Sequence, residues 1–283
     1  MQLVKTVQDM QGIGKWFRGE CKSIGFVPTM GALHEGHISL VRRSKEENDR
    51  TVVSIFINPT QFGPNEDFEK YPRDIESDLS KLSELQVDVV FMPETEEMYP
   101  EGFSVSIDMG GVEKVLCGAS RPGHFNAVAT VVAKLLNTVM PHRIYLGQKD
   151  FQQTVVIKKL LRDLNVDTNV VVVPTVREPD GLAMSSRNTY LNEDERKAAL
   201  ILYKALKLGE EFILSKGLDN TESVKKEIEA CIKTEPLAKK EYVDIVDPFN
   251  LAPVQRVIFA AVICVAVKIG KTRLIDNIII EKS

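Results

Sequence analysis

Two histidines three residues apart, His34 and His37, stand in the string Pro28-Thr29-Met30-Gly31-Ala32-Leu33-His34-Glu35-Gly36-His37. An apolar run, Ile24-Gly25-Phe26-Val27, leads into that string, and Ile38-Ser39-Leu40-Val41-Arg42-Arg43 leaves it with helical spacing. The local pattern is strand, glycine-bearing turn, helix. The first N–H groups of a helix have no partner within it, and its dipole puts partial positive charge there, so that end attracts phosphate. Imidazoles at i and i+3 share a face and reach the same anion. The chemistry indicated is a cradle for the triphosphate of ATP. A metal pair is the competing use. The string is not H-E-x-x-H, however, and only His124 and His142 remain, with no Cys-x-x-Cys to complete a zinc site.

Other polar strings also follow apolar runs. Asn58-Pro59-Thr60-Gln61-Phe62-Gly63-Pro64 is an ordinary loop by composition, but Gln61 offers donors and an acceptor to a small substrate bearing hydroxyl and carboxylate groups. In Leu146-Gly147-Gln148-Lys149-Asp150-Phe151-Gln152-Gln153 the glycine lets the backbone approach a ribose or phosphate, and Lys149 can neutralise a phosphate. Asp150 can accept a ribose hydroxyl or simply cap the helix. Gln152 and Gln153 fall on different helical faces, so at most one faces a crevice. Ala183-Met184-Ser185-Ser186-Arg187-Asn188 combines hydroxyls with a guanidinium, a clamp for a departing pyrophosphate or else a serine-rich linker with a cap. Arg121 is a further anion contact, whereas His124 fits a helix opening or the core. Asp74 and Asp78 lie one helical turn apart, and a solvated helix face suits them better than Mg²⁺.

The elements that must position these residues are legible as alternation. Strand candidates at 24–28, 51–57, 88–92, 142–146 and 168–173 alternate with helical patterns at 37–48, 74–86, 124–138 and 151–164. That order predicts a Rossmann-like parallel sheet with helices on both faces, whose ligands sit outside the carboxyl ends of the strands at a topological switch point. After residue 190 the pattern becomes two helices, 193–214 and 222–233, then β-rich runs at 241–246, 256–267 and 272–280. These predict a smaller α+β domain with an antiparallel sheet. We expect a first domain over 1–176 and a second over 177–283 that acts as a lid, hinged around Arg177-Glu178-Pro179-Asp180-Gly181.

A chain of 283 residues can bury a substantial core, and a net charge of −4 argues against a nucleic-acid surface. The first nine residues carry no apolar h-region, so no signal peptide is expected. The longest apolar run, Val257 to Val267, is too short to span a membrane, which needs about twenty residues, and reads as a buried strand. Cys21, Cys117, Cys231 and Cys264 form no framework, as expected of reduced thiols in a cytosolic protein.

Taken together, four stretches resemble the pantoate–β-alanine ligase family: Phe26 through His37, Asn58-Pro59-Thr60-Gln61-Phe62, Gly147 through Gln153, and Val173-Pro174-Thr175-Val176-Arg177 through Met184-Ser185-Ser186-Arg187-Asn188. Their order, spacing and the chain length agree over essentially all 283 residues, although the histidine signature alone belongs to a wider nucleotidyltransferase superfamily. The resemblance implies a cytoplasmic homodimer that joins (R)-pantoate to β-alanine with ATP and Mg²⁺, releasing AMP and pyrophosphate. It implies ATP contacts for Met30, Gly31, Ala32, Leu33, His34, Glu35, Gly36 and His37, with both histidines on the phosphates. Gly147, Gln148, Lys149 and Asp150 would meet adenosine and phosphates, Val176 the adenine, and Met184, Ser185, Ser186 and Arg187 the triphosphate. Gln61 and Gln153 would hold pantoate, with Arg121 nearby. Gln148 departs from the glutamate usual in the family, and Ser77 beside Asp78 departs from its acidic Mg²⁺ region, so the metal ligands stay unassigned.

The expected mechanism is acyl activation, with His34, His37, Lys149, Ser186 and Arg187 stabilising phosphate charge and His37 donating a proton. An adenylyltransferase acting on a phosphate ester would use the same histidine cradle. A class I aminoacyl-tRNA synthetase lacks support, since no basic tRNA-binding extension is present. A nucleotide sensor would bind ATP and leave it intact.

Overall fold

Strands of three to six residues separated by helices build a six-stranded parallel sheet, seen in a computed structural model that describes residues 1–64, 66–218 and 220–282. The strands are β1 (Gln2–Val4), β2 (Ile24–Thr29), β3 (Arg50–Ile55), β4 (Val89–Phe91), β5 (Arg143–Gly147) and β6 (Asn169–Val173). The helices between and after them are α1 (Val7–Gly19), α2 (Glu35–Glu47), α3 (Ile75–Glu84), α4 (Thr95–Met98), α5 (Leu116–Ser120), α6 (His124–Val139) and α7 (Phe151–Asp163). Then come α8 (Glu193–Ala198), α9 (Ile201–Leu214) and α10 (Thr221–Lys233), followed by the three-stranded antiparallel sheet β7 (Ala238–Val246), β8 (Ala260–Ile269) and β9 (Thr272–Glu281). Both predicted sheets are therefore present. Four elements go beyond the expectation: β1 and α1, which precede the first predicted strand, and the short helices α4 and α5. The single helix expected over 193–214 is two helices, broken at Ala199 and Leu200.

The chain forms two compact units. The first comprises Met1–Lys114, Arg121–Gly147 and Val156–Pro174; the second comprises Val115–Ser120, Gln148–Val155 and the chain from Thr175 onward.

In the first unit the strand order is β1-β4-β3-β2-β5-β6. The chain runs outward from β2 through β3 to β4, then returns to place β5 on the other side of β2, so the order reverses between β2 and β5. That is the topological switch, where loops leaving adjacent strands diverge and open a crevice. The β2–β3 register pairs Ile24 with Arg50 through Thr29 with Ile55, which brings the residues after Thr29 beside those after Ile55. Strands covered on both faces must be apolar throughout. Val27, Val53, Ile55, Val90 and Tyr145 accordingly pack with Leu40 and Val41 of α2 and Leu82 of α3 in one buried cluster.

In the second unit the middle strand β8 takes up the longest apolar run of the sequence from Ala260 onward and is buried from Ala261 to Val267, whereas Ile258 and Phe259, expected in the same buried strand, precede it and are exposed. Its side chains join Leu202, Leu206 and Ile213 of α9 and Val224 and Ile228 of α10 in a second core. No helix among the described residues is long and apolar enough to cross a membrane.

Candidate active site

The turn after β2 is held by side chains that reach it from β2 itself and from α3. Thr29 Oγ1 donates to the carbonyl of Ser54 at 2.7 Å and accepts the Gly31 N–H at 3.2 Å. Gly31 and Ala32 then take successive left-handed conformations, φ +81° and +51°. Glycine enters that region at little cost, whereas an alanine there must be held by its surroundings. Asp78 supplies that hold: Oδ2 accepts the Ala32 N–H at 2.8 Å and Oδ1 the Leu33 N–H at 2.7 Å. Lys81, one turn along α3, donates from Nζ to the Leu33 carbonyl at 2.7 Å. The expectation of a solvated Asp74–Asp78 face is corrected here. Asp74 is exposed and caps α3, but Asp78 is only 1% exposed, and burial raises its carboxyl pKa despite both N–H bonds and Lys81.

His34 is the N-cap of α2, one residue ahead of the helix rather than inside it. Its Nδ1 accepts the Gly36 N–H at 3.1 Å, and His37 Nδ1 receives the His34 N–H at 3.4 Å. The rings lie 4.1 Å apart between centroids. An imidazole whose Nδ1 is an acceptor carries its proton on Nε2 when neutral. Capping therefore sets both rings as Nε2–H donors at a helix N-terminus, the arrangement an anion requires. Glu35, expected among the ATP contacts, pairs through its carboxylate with exposed Arg42 at 2.9 Å.

Gln61 follows β3 and reaches the same turn, donating from Nε2 to Met30 Sδ at 3.2 Å. Its side-chain oxygen accepts from Asn58 Nδ2 at 3.1 Å. Its backbone carbonyl accepts from Arg121 Nη2 at 3.2 Å and from His124 Nδ1 at 2.8 Å. Arg121 also grips Glu66 through Nε at 2.6 Å. Burial pushes the Glu66 carboxyl up, but Arg121 outweighs it and the net pKa is lowered. His124 is the first residue of α6, as expected, and it also fixes the backbone of Gln61. Glu66 and Tyr99, whose hydroxyl donates to Asn58 Oδ1 at 2.8 Å, support this corner and go unmarked by the sequence, where Asn58 stands as part of the loop string.

In the second unit Gln148–Asp150 form one 3-10 turn. Asn277 of β9 donates from Nδ2 to the carbonyls of Gln148 and Lys149, both at 2.9 Å, and accepts from Gln148 Nε2 at 3.3 Å. The Lys149 ammonium lies 3.7 Å from the carboxylate of exposed Asp150. Of the two glutamines that follow, Gln152 is buried. It bolts the α5 region in place, accepting the Cys117 N–H at 3.0 Å and donating to the Val115 carbonyl at 2.8 Å. Gln153 is half-buried.

The segment around Arg177-Glu178-Pro179-Asp180-Gly181 folds back on itself as a hairpin. Met184 N–H bonds the Val176 carbonyl at 3.0 Å, and Arg177 bridges to Ala183. The Arg177 guanidinium makes two bonds to Asp276, 2.6 and 3.0 Å, and stacks over Tyr203 at 4.3 Å. Downstream, Ser185 Oγ accepts the Arg187 N–H at 3.3 Å, opening a 3-10 turn over Ser186–Tyr190, with Ser186 buried. Among the described residues no three His, Cys, Asp or Glu side chains gather into a metal cage.

Comparison with known proteins adds to this geometry. A family model described as pantoate-beta-alanine ligase matches residues 2–279. A pantothenate synthetase of Thermosipho africanus is 54% identical over 280 residues, covering 99% of this chain and 100% of that protein. The crystal structure of pantothenate synthetase from Thermus thermophilus superposes with a TM-score of 0.93 at 44% identity, over 98% of this chain and 99% of that one. A pantoate-beta-alanine ligase from Francisella tularensis, complexed with beta-gamma ATP and beta-alanine, gives a TM-score of 0.81 at 38% identity over 98% and 97% of the two chains.

Proposed function

The chain belongs to the pantoate–β-alanine ligase family, whose reaction is the ATP-dependent condensation of pantoate with β-alanine, and we propose that it works through a pantoyl-adenylate. A carboxylate oxygen of (R)-pantoate attacks the α-phosphorus of ATP in line, the bond to the β-phosphate bridge breaks, and pyrophosphate leaves with the electron pair. The β-alanine amine then attacks the acyl carbon, the bond from carbon to the phosphate oxygen breaks, AMP departs and the amine loses a proton. No protein nucleophile is needed, so catalysis consists of positioning and of stabilising phosphate charge.

The single observation that carries this is the capped imidazole pair, His34 and His37, at the helix N-terminus that follows β2. With Nδ1 engaged in backbone N–H bonds, the Nε2–H of each neutral ring is the donor we assign to the phosphates. We assign Met30–His37, Gly147–Asp150, Val176 and Met184–Arg187 to ATP, Gln61 and Gln153 to pantoate, and Arg121 to fixing Gln61. His37 is the proton donor, with Lys149, Ser186 and Arg187 answering the charge on the departing pyrophosphate.

Mg²⁺ enters as part of the nucleotide substrate. Its protein ligands stay unassigned. We propose a cytoplasmic homodimer, the dimer checked by light scattering.

The test is pantoate-dependent exchange of labelled pyrophosphate into ATP without β-alanine. Exchange that requires both pantoate and Mg²⁺ is expected. Its absence, in protein that binds ATP, removes the adenylate.

A further inference from the structure

Two side chains of α3 hold three consecutive peptide groups of the turn just before His34. Asp78 takes the N–H groups of Ala32 and Leu33 at 2.8 and 2.7 Å, and Lys81 takes the Leu33 carbonyl at 2.7 Å. We propose that Asp78 and Lys81 are positioning residues for adenylate formation: acting through the Gly31–Leu33 turn, they set where the paired imidazoles meet the phosphates. The proposal rests on the adenylate reading above and assigns the two residues a role distinct from binding either substrate.

Burying a carboxylate is costly unless its charge is used. A helix that served only the core would carry an apolar side chain at this site, as α3 does with buried Leu82. Asp78 instead faces a turn that needs external support, because Ala32 sits at φ +51° and a non-glycine residue persists there only when its surroundings over-determine it. The residue after the Gly31–Leu33 turn is His34, the N-cap whose own N–H reaches His37. A shift of the turn therefore passes to both imidazoles with no flexible residue between.

The experiment compares Asp78→Asn, Lys81→Met and the double variant with the parent chain. It reads pantoate-dependent pyrophosphate exchange, KM for each substrate, circular dichroism and thermal unfolding. Each single variant should lower kcat on the order of tenfold, as small misplacements of catalytic groups do. KM for pantoate should stay within about twofold, since Gln61 and Gln153 are unaltered. The double variant should lose little more than the worse single, because both residues act through one turn. Single variants within about twofold of the parent kcat, multiplicative losses in the double, or a loss matched by the unfolded fraction would each overturn the proposal. Should D78N not fold, K81M carries the test, since Lys81 is only half-buried. A parent chain without exchange would sink the adenylate reading instead, and the variants would then be compared on overall pantothenate formation.

Discussion

Gln148 and Asn277 form a reciprocal amide pair between residues 129 positions apart. The Asn277 amide nitrogen serves two carbonyls while its oxygen accepts from the Gln148 amide. A glutamine at 148 suits this pairing as a glutamate would not. A carboxylate has no proton to give Asn277 Oδ1, and turning the asparagine over would aim its oxygen at the carbonyls of Gln148 and Lys149.

Gln148→Glu should therefore cost about 1 kcal/mol, the scale of one hydrogen bond lost to a buried acceptor. The denaturant midpoint should fall with the m-value unchanged. An unaltered midpoint would show that the pair contributes nothing.

His37→Ala and Lys149→Ala should each lower kcat by on the order of 10²–10³ in folded protein, the effect of removing one well-placed donor. Steady-state rates beside unfolding curves decide this. Near-normal turnover would remove the residue from the catalytic assignment.

Gly31→Ala places a Cβ 3.0 Å from Asp78 Oδ2 and 3.2 Å from Ile55 Cγ2, in a residue at φ +81°. Left-handed backbone alone costs an alanine roughly 1–2 kcal/mol. Thermal unfolding should register at least that loss, whereas Ala32→Gly should be tolerated. Equal stability of all three chains would contradict the strain.

His142 accepts the Ile24 N–H on Nδ1 at 2.9 Å. Burial first, then Arg18, lowers its pKa from the ordinary 6.5. The unfolded chain thus binds the proton more readily than the folded one. Stability should fall as pH drops below 6.5 towards the folded value, and be fully present above 6.5. In His142→Asn, whose amide oxygen can still accept that N–H, this part of the acid slope should vanish from urea titrations run at successive pH values.

Arg177→Met leaves the Asp276 carboxylate, 2% exposed, without its partner. Breaking such a pair costs on the order of 3–5 kcal/mol. Burial already holds the Asp276 pKa above its ordinary value despite Arg177, so losing the arginine raises it further. The folded variant then holds that proton to a higher pH than the parent does. Its deficit should be smallest in acid and grow as pH rises through the folded pKa. A deficit independent of pH would deny the buried charge.

The alternating strands and helices were readable because apolar period and turn residues are local properties. The first element pair was not. In α1, Gly12 and Gly14 weaken helix propensity and Trp16 sits 60% exposed, which blurs the apolar stripe. Gly14 is there for close packing, since a Cβ would stand 2.8 Å from the Val139 carbonyl of α6. The histidines were legible because their spacing relative to a strand and a helix carries the chemistry. Asp78 was misjudged because its partners, Ala32 and Leu33, lie 46 and 45 residues away. The bend at the Arg177 turn is legible from Pro179 and Gly181, while its bond to Asp276, 99 residues on, is not a local property.

Strand β9 carries Asp276 and Asn277, so it leaves a ribosome long after the segments it anchors. Until it arrives, Gln148, Lys149 and Arg177 lack their fastenings, and the loops to be closed span about a hundred residues or more. Such long-range contacts form late and slowly. A nascent chain halted before β9 would own a complete first sheet and its capped histidine pair, yet hold the Lys149 segment unorganised. Recovery of activity on refolding should therefore lag behind recovery of helical signal.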